Sequence, residues 1–229
     1  MIILHQFQIS PYCDKIRRIM NYKKIDYQVQ EVTIAKMGGI KKKNPAGKLP
    51  FIEHDGKVVC DSTDIAYYLE EKFPEKPILP DDNSARALVH FFEDWADESL
   101  YFYEMYLRFT LPHNAEVTIP KLMHADSKTV KIMMKPVVPK MMKFVIGNQG
   151  VGKKSLENVL NDVKRHARAI SDYLCDRDWL VGNSITLADI GVISQLSCIN
   201  DTIEGREILG EHKSVTNWME RTDKATIVK

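Results

Sequence analysis

The sequence has little that points to a membrane, a metal or a nucleic acid. No apolar run approaches the roughly 20 residues that a membrane-spanning helix needs. The N-terminus has no basic leader followed by an apolar segment and a small-residue cleavage site. Neither sign of charge is in excess: 32 Lys and Arg stand against 31 Asp and Glu, a formal net charge of +1. That balance gives no reason to expect a nucleic-acid partner. The four cysteines (Cys13, Cys60, Cys175 and Cys198) are scattered, without zinc-knuckle or disulfide-framework spacing, and read as free thiols of a reducing compartment. Seven histidines form no His-x-x-x-His pair, so no metal is expected. The expectation is a cytoplasmic protein with no metal, no nucleic-acid partner and no membrane span.

What remains is ordinary and sufficient. A chain of 229 residues, 44% apolar and 28% charged, can bury a core as one large domain or two smaller ones. Its first segment carries the most information. Ile2 to Leu4 begin an apolar run that reads as a buried strand, and Ser10-Pro11 breaks it. Tyr12, Ile16, Ile19 and Met20 then recur at helical spacing. Ser10 sits where an N-cap is wanted and Pro11 suits a first helical position. Ser10 and Cys13 therefore lie beside unpaired amides at the positive end of a helix dipole, a place that favours anions and thiolates.

Asp26 to Gln30 alternate polar and apolar residues, as a half-buried strand does. Gly38-Gly39 and Lys41-Lys42-Lys43 read as an irregular, solvated stretch. Leu49-Pro50 leads into a strand, where a proline at the first position loses no ladder bond. Asp55-Gly56 is a hairpin turn and Val58-Val59-Cys60 the returning strand. Asp61-Ser62 opens a helix, with Ser62 as its expected cap and Ile65, Tyr68 and Leu69 facing inward. This order of elements predicts a small α/β sandwich with a mixed sheet.

That order, together with Ser10-Pro11-Tyr12-Cys13, Asn44-Pro45-Ala46-Gly47-Lys48-Leu49-Pro50 and Asp61-Ser62, resembles the thioredoxin-like N-terminal domain of cytosolic glutathione transferases. The resemblance implies a cis Leu49-Pro50 bond that presents the Leu49 backbone to the cysteinyl part of glutathione, like an added strand. It implies that Asp61 and Ser62 hold the γ-glutamyl end, that Lys48 faces the glycyl end, and that Tyr12 belongs to the same cradle. Gln6 stands at the position where the alpha- and mu-type members carry a catalytic tyrosine. Ser10 matches the serine of the theta- and tau-like groups, whose hydroxyl stabilises the glutathione thiolate. Ser-Pro-Tyr-Cys also resembles a glutaredoxin Cys-Pro-Tyr-Cys with its first cysteine lost, which puts Cys13 at the inner, resolving position. Ser10 is therefore placed ahead of Cys13 as the working residue.

Proline-rich residues 75–82 read as a linker between a glutathione-binding domain at 1–74 and an all-α bundle at 83–229. Leu88, Phe91, Phe92, Trp95, Phe102 and Tyr106 trace an apolar stripe on a long helix, and residues 156–174 trace another. Thr186-Leu187-Ala188-Asp189 is a capping-box variant opening a helix without charge from Ile190 to Asn200, apolar all round as a central bundle helix is. The family carries a similar box at its central helix, so Asp189 is read as structural and the resemblance spans nearly the whole chain. Tyr101-Phe102-Tyr103 and the methionines 133, 134, 141 and 142, with Pro136 and Pro139 interrupting any helix there, are candidate lining of a second-substrate site.

Gly147 to Lys154 nearly match a phosphate-binding loop, but Lys154 stands where Ser or Thr must bind magnesium. The stretch is read as a loop between helices. Residues 149–153 also resemble metaxin-like members of the superfamily. Three functions follow from these residues. The first is a transferase that conjugates glutathione, held by Ser10, to a small apolar electrophile. The second is a glutathione-dependent thiol-disulfide reductase using Cys13, and the third a non-catalytic binding protein on the same fold. The resemblance also implies a homodimer.

Overall fold

A computed structural model describes residues 1–227. β1 (Ile2–Gln6) runs into α1 (Pro11–Lys23) and returns as β2 (Tyr27–Glu31), parallel to β1. A short turn and α2 (Met37–Ile40) precede β3 (Phe51–His54) and β4 (Lys57–Cys60), both antiparallel to their neighbours. The sheet order is β2-β1-β3-β4, and α3 (Ser62–Lys72) completes the unit. Ile2 and Leu4 alternate inward along β1 and pack with Ile16, Ile19 and Met20 of α1 and Ile65 and Leu69 of α3. The Asp55-Gly56 turn takes positive φ at both residues, which matches the right-handed twist of the flanking strands. β2 is an edge strand, and its alternation hides little: Val29 is exposed, contrary to the half-buried reading.

The second half is helical. α4 (Asn83–Trp95) continues through a π-type turn at residues 96–100 into α5 (Tyr101–Thr110). α6 (Pro112–Leu122), α7 (Lys128–Met134) and α8 (Val137–Gly147) form an outer group. α9 (Leu156–Tyr173), α10 (Leu187–Asn200), α11 (Ile203–Gly210) and α12 (Lys213–Thr226) follow. α10 is buried along most of its length. Its capping box is present, with Asp189 accepting hydrogen bonds from the Thr186 amide (2.9 Å) and hydroxyl (3.0 Å). Asp189 also accepts from the Leu180 amide at 2.8 Å and the Trp218 indole at 2.9 Å. Every contact of this carboxylate is structural.

The stripe expected along α4 and α5 is only partly an inner face. Phe92, Trp95 and Tyr106 pack against the core, but Leu88 and Phe91 are exposed, and the fully buried positions are Val89, Glu93, Ala96, Asp97 and Leu100. Two causes account for this. The π-type turn inserts extra rotation, so residues before and after it cannot share one 3.6-residue stripe. Lys15, buried on the facing side of α1, also requires carboxylates there: its ammonium donates to Glu93 at 2.5 Å and Asp97 at 2.6 Å. Pro136 separates α7 from α8 as expected, whereas Pro139 is tolerated in the first turn of α8, where its missing N–H costs no helical bond.

The Lys15–Glu93–Asp97 cluster ties α1 to the helical half, and Thr63 of α3 joins it by donating to Glu93 at 2.5 Å. Removing the cation leaves two buried carboxylates without a counter-ion. Lys15→Met is expected to destabilise the protein by about 3–5 kcal/mol, read as a lowered midpoint in urea denaturation. A denaturation midpoint unchanged from the parent would show the cluster to be dispensable.

Candidate functional site

The turn after β1, the loop before β3 and the start of α3 converge on one cavity of about 480 Å³. Ser10, Tyr12, Lys48, Leu49, Pro50, Asp61 and Ser62 all line it, so three segments distant in sequence meet there. A second, more open hollow of about 780 Å³ along α3 and residues 74–81 is lined by none of these residues.

Ser10 is the N-cap of α1: its Oγ accepts from the Cys13 amide at 3.5 Å, which leaves the hydroxyl proton available to a ligand. The Tyr12 hydroxyl donates to the Asp97 carbonyl at 2.7 Å, and its ring packs on Tyr101 at 4.9 Å. Burial raises the Tyr12 phenol far above its ordinary range, so it remains a neutral donor already committed to the helical half. Leu49-Pro50 is cis. The loop leading to it is organised by Asn44, which is buried: its side chain accepts from the Ala46 amide at 3.0 Å and donates to the Lys48 carbonyl at 2.8 Å. Nothing in the sequence marked Asn44 for this task except its place in an Asn-Pro-x-Gly turn.

At the other lip, Asp61 rather than Ser62 is the N-cap of α3, accepting from the Thr63 amide at 2.9 Å. Asp61 holds φ at +73°, a conformation that costs a non-glycine residue of order 1–3 kcal/mol and is retained where geometry is demanded. Ser62 is then the first helical residue, buried, with its hydroxyl 3.5 Å from Asp97. Asp97 is the main group missed in the sequence. Burial pushes its carboxyl up to about 6, against the opposing pull of the Lys15 ammonium. The available signal was the i, i+4 pairing of Glu93 and Asp97 on one helical face.

The remaining wall comes from the helical half and is mixed: Tyr101, Met105, Phe109, Leu122 and Met142, with Ile9 of the loop after β1, form an apolar patch beside the charged Glu93, Asp94, Asp97, Glu98, Glu104 and Arg108. Phe102, Tyr103, Met133 and Met141 do not line the cavity; Met133 and Met141 are exposed. A buried ion pair also reaches this wall. Arg108 donates to Glu104 at 2.8 Å and to the Ile9 carbonyl at 3.1 Å, fastening the helical half to the loop that carries Ser10.

Cys13 does not line the cavity and is completely buried, and that burial pushes its thiol up to about 11, outweighing hydrogen bonding from Ser10 and the Phe7 backbone. This environment disfavours the thiolate that redox chemistry requires. Gly152 in the phosphate-loop-like stretch has a packing reason: a Cβ there would collide with the Ile146 carbonyl oxygen. Among the described residues, no group of three or more His, Cys, Asp or Glu side chains is placed to hold a metal ion.

Known proteins match both halves of the chain. Residues 4–77 match the family model described as glutathione S-transferase, N-terminal domain, and residues 129–222 that described as glutathione S-transferase, C-terminal domain. The chain is 26% identical over 235 aligned positions to isoprene-epoxide–glutathione S-transferase of Rhodococcus sp. strain AD45, covering 94% of this chain and 92% of that protein. It is 37% identical over 89 residues to glutathione S-transferase 1 of Dianthus caryophyllus, spanning 37% of this chain and 40% of that one. Among solved structures, a glutathione S-transferase from Rhodospirillum rubrum F11 aligns with a TM-score of 0.70 at 22% identity, covering 97% of this chain and 88% of that chain.

The four cysteines are expected to separate by reactivity. In the native protein at neutral pH, iodoacetamide should label exposed Cys175 and leave Cys13 unmodified until the chain is unfolded. Peptide mapping by mass spectrometry reads this directly. Rapid native labelling of Cys13 would contradict the burial described above.

Proposed function

Because the chain belongs to the glutathione transferase superfamily, we propose that it is an enzyme that transfers the glutathione thiol to a small electrophile, with Ser10 stabilising the thiolate. The observation that carries this reading is the convergence of Ser10, Leu49-cis-Pro50 and Asp61-Ser62 on one cavity whose far wall carries an apolar patch of Tyr101, Met105, Phe109, Leu122 and Met142.

In this reading the Ser10 hydroxyl donates to the glutathione sulfur. The α1 N-terminus adds the positive end of its dipole. Both favour the thiolate over the thiol and are in place before reaction, which is how preorganised donors lower a barrier. The Leu49 backbone pairs with the cysteinyl portion, and Lys48 meets the glycyl carboxylate. Asp61 and Ser62 hold the γ-glutamyl end, with its carboxylate at the N-terminus of α3. Asp97, beside Ser62, supplies a negative charge for the γ-glutamyl ammonium. The thiolate then attacks the electrophilic carbon, the C–S bond forms, and the leaving group departs with its electron pair or an epoxide ring opens.

The name of the Rhodococcus relative specifies an epoxide, and such a compact, weakly polar electrophile suits a wall of Met105, Phe109, Leu122 and Met142. A homodimer belongs to the same reading; exposed Leu88 and Phe91 on α4 offer an apolar face for a second copy.

Ser10→Ala is expected to lower kcat/KM for a chloro-nitroaromatic by about 10²–10³-fold while the protein is still retained on immobilised glutathione. Full activity in this variant would sink the serine mechanism. Protonation of Asp97 removes its charge, so glutathione affinity should fall as pH drops through about 6, and Asp97→Asn should flatten that limb. Calorimetric titration across this range is the check, and an identical pH profile in the variant would remove Asp97 from the site.

A further inference from the structure

The α7–α8 hairpin carries an unusual concentration of exposed apolar side chains. Ile132 is 76% exposed and Phe144 73%, and Met133, Val137, Met141 and Val145 are also open to solvent. In α8, residues 137, 141, 144 and 145 follow i, i+4, i+7, i+8 spacing and share one face. The neighbouring face, with Val138, Met142 and Ile146, packs on Met105 and Phe109 and fixes the helix in place. The open face is therefore held outward on a supported helix. Exposed apolar side chains sharing one helix face and rimmed by polar residues mark an interaction site.

The charge around it is one-sided. Between Asp126 and Glu157 the chain has seven lysines and no Asp, Glu or Arg, although the whole protein carries a net charge of only +1. Lys128, Lys135, Lys140 and Lys143 are exposed around the hairpin. Two other lysines of the run have partners: Lys154 pairs with Asp162, and Lys131 donates to the His124 carbonyl. Lysine is a point charge on a long apolar stem, which can lie along hydrocarbon while its ammonium reaches a phosphate or carboxylate headgroup. An apolar face bordered by lysines, in a run from 127 to 156 that holds no acid and no arginine, matches an anionic bilayer surface.

We propose that the exposed face of the α7–α8 hairpin docks on anionic phospholipid membranes, with Ile132, Met133, Met141 and Phe144 entering the interface and the flanking lysines contacting headgroups. The chain lies on the surface and does not span it: among the described residues, no helix is long and apolar enough to cross a membrane. Because the inner face of α8 supplies Met142 to the cavity wall, a docked hairpin would bring the second-substrate end of the cavity toward membrane-dissolved electrophiles.

Vesicle flotation with the full chain tests this proposal. The protein should float with phosphatidylcholine–phosphatidylserine vesicles at low salt, float little with phosphatidylcholine alone, and be released by high salt. Lys140→Gln combined with Lys143→Gln should weaken partitioning roughly thirtyfold. Ile132→Ser combined with Phe144→Ser should weaken it at every salt concentration. Unchanged thermal melting and retention on immobilised glutathione would show that these surface variants are folded. Failure of the parent protein to prefer phosphatidylserine vesicles would overturn the proposal, as would parental binding by both variants. A concentration-dependent dimer that is lost with Phe144→Ser, in a protein that does not bind vesicles, would assign the face to a second copy instead. None of these outcomes depends on conjugating activity, so a failed membrane test leaves the transferase reading standing.

Discussion

The buried ammonium of Lys15 is the constraint on which the arrangement of the two halves depends. Placing a lysine out of water is costly unless carboxylates meet it at close range, and Glu93 and Asp97 do so from one face of the helix that crosses α1. Their attraction, with the Coulombic pull of both acids, keeps Lys15 charged despite its burial. The result is directional as well as cohesive. It fixes the rotation of α4 about its axis, and through the π-type turn it determines which side chains of α5 face the cavity. Arg18 repeats the device at the far side of α1, bonding Asp223 at 2.7 Å and Thr226 at 2.8 Å on α12. A helix whose first turn lines the cavity is therefore held by charged contacts to two helices of the other half.

This fixation matters because the proposed chemistry rests on small, preset dipoles. A serine hydroxyl and a helix N-terminus stabilise a thiolate only if neither has to reorganise when the sulfur arrives. Arg108 reaching the Ile9 carbonyl and Tyr12 reaching the Asp97 carbonyl both tie the Ser10 loop to the helical wall. Cys13 sits one turn into the same helix, yet its thiol is pushed up because burial removes the water that would solvate the sulfur anion. The same helix end thus presents a hydroxyl to the cavity and seals a thiol behind it. Proximity to a dipole does not by itself make a cysteine reactive.

The elements legible in the sequence were those governed by local rules. Ser10-Pro11 marked a helix start because an N-cap oxygen and a missing N–H are strictly local requirements, and Thr186-x-x-Asp189 marked another for the same reason. The candidate site residues Leu49-Pro50 and Asp61-Ser62, which meet at the cavity, are legible because the resemblance is written in short motifs. Residues whose roles depend on a distant partner were not. Glu93 and Asp97 look like solvated helix charges until Lys15 is placed against them, and Leu88 and Phe91 look like core until Val89 and Glu93 are seen to occupy the buried face of α4 instead. Asn44 belongs with the missed residues: its amide shapes the loop before Pro50, but only the folded loop brings the Lys48 carbonyl within reach. Periodicity assumes an unbroken helix and solvent on its polar side, and both assumptions fail at the junction of the two halves.

The outer helices show the same limit from the opposite direction. The methionines of residues 133–142 were read as lining because methionine suits adaptable pockets, but one helix can show only part of its circumference to a cavity. In α8 the split is clear: Met142 faces Met105 and Phe109, while Met141, one residue away, faces solvent with Phe144. A helix apolar on two adjoining faces needs two apolar environments, and the cavity wall supplies only the first. Lysine is the cation throughout this hairpin, so the second environment is one that tolerates mobile, non-directional charge. In the membrane-docking proposal an anionic bilayer surface supplies that second environment, and the two apolar faces of α8 divide between the cavity wall and the lipid.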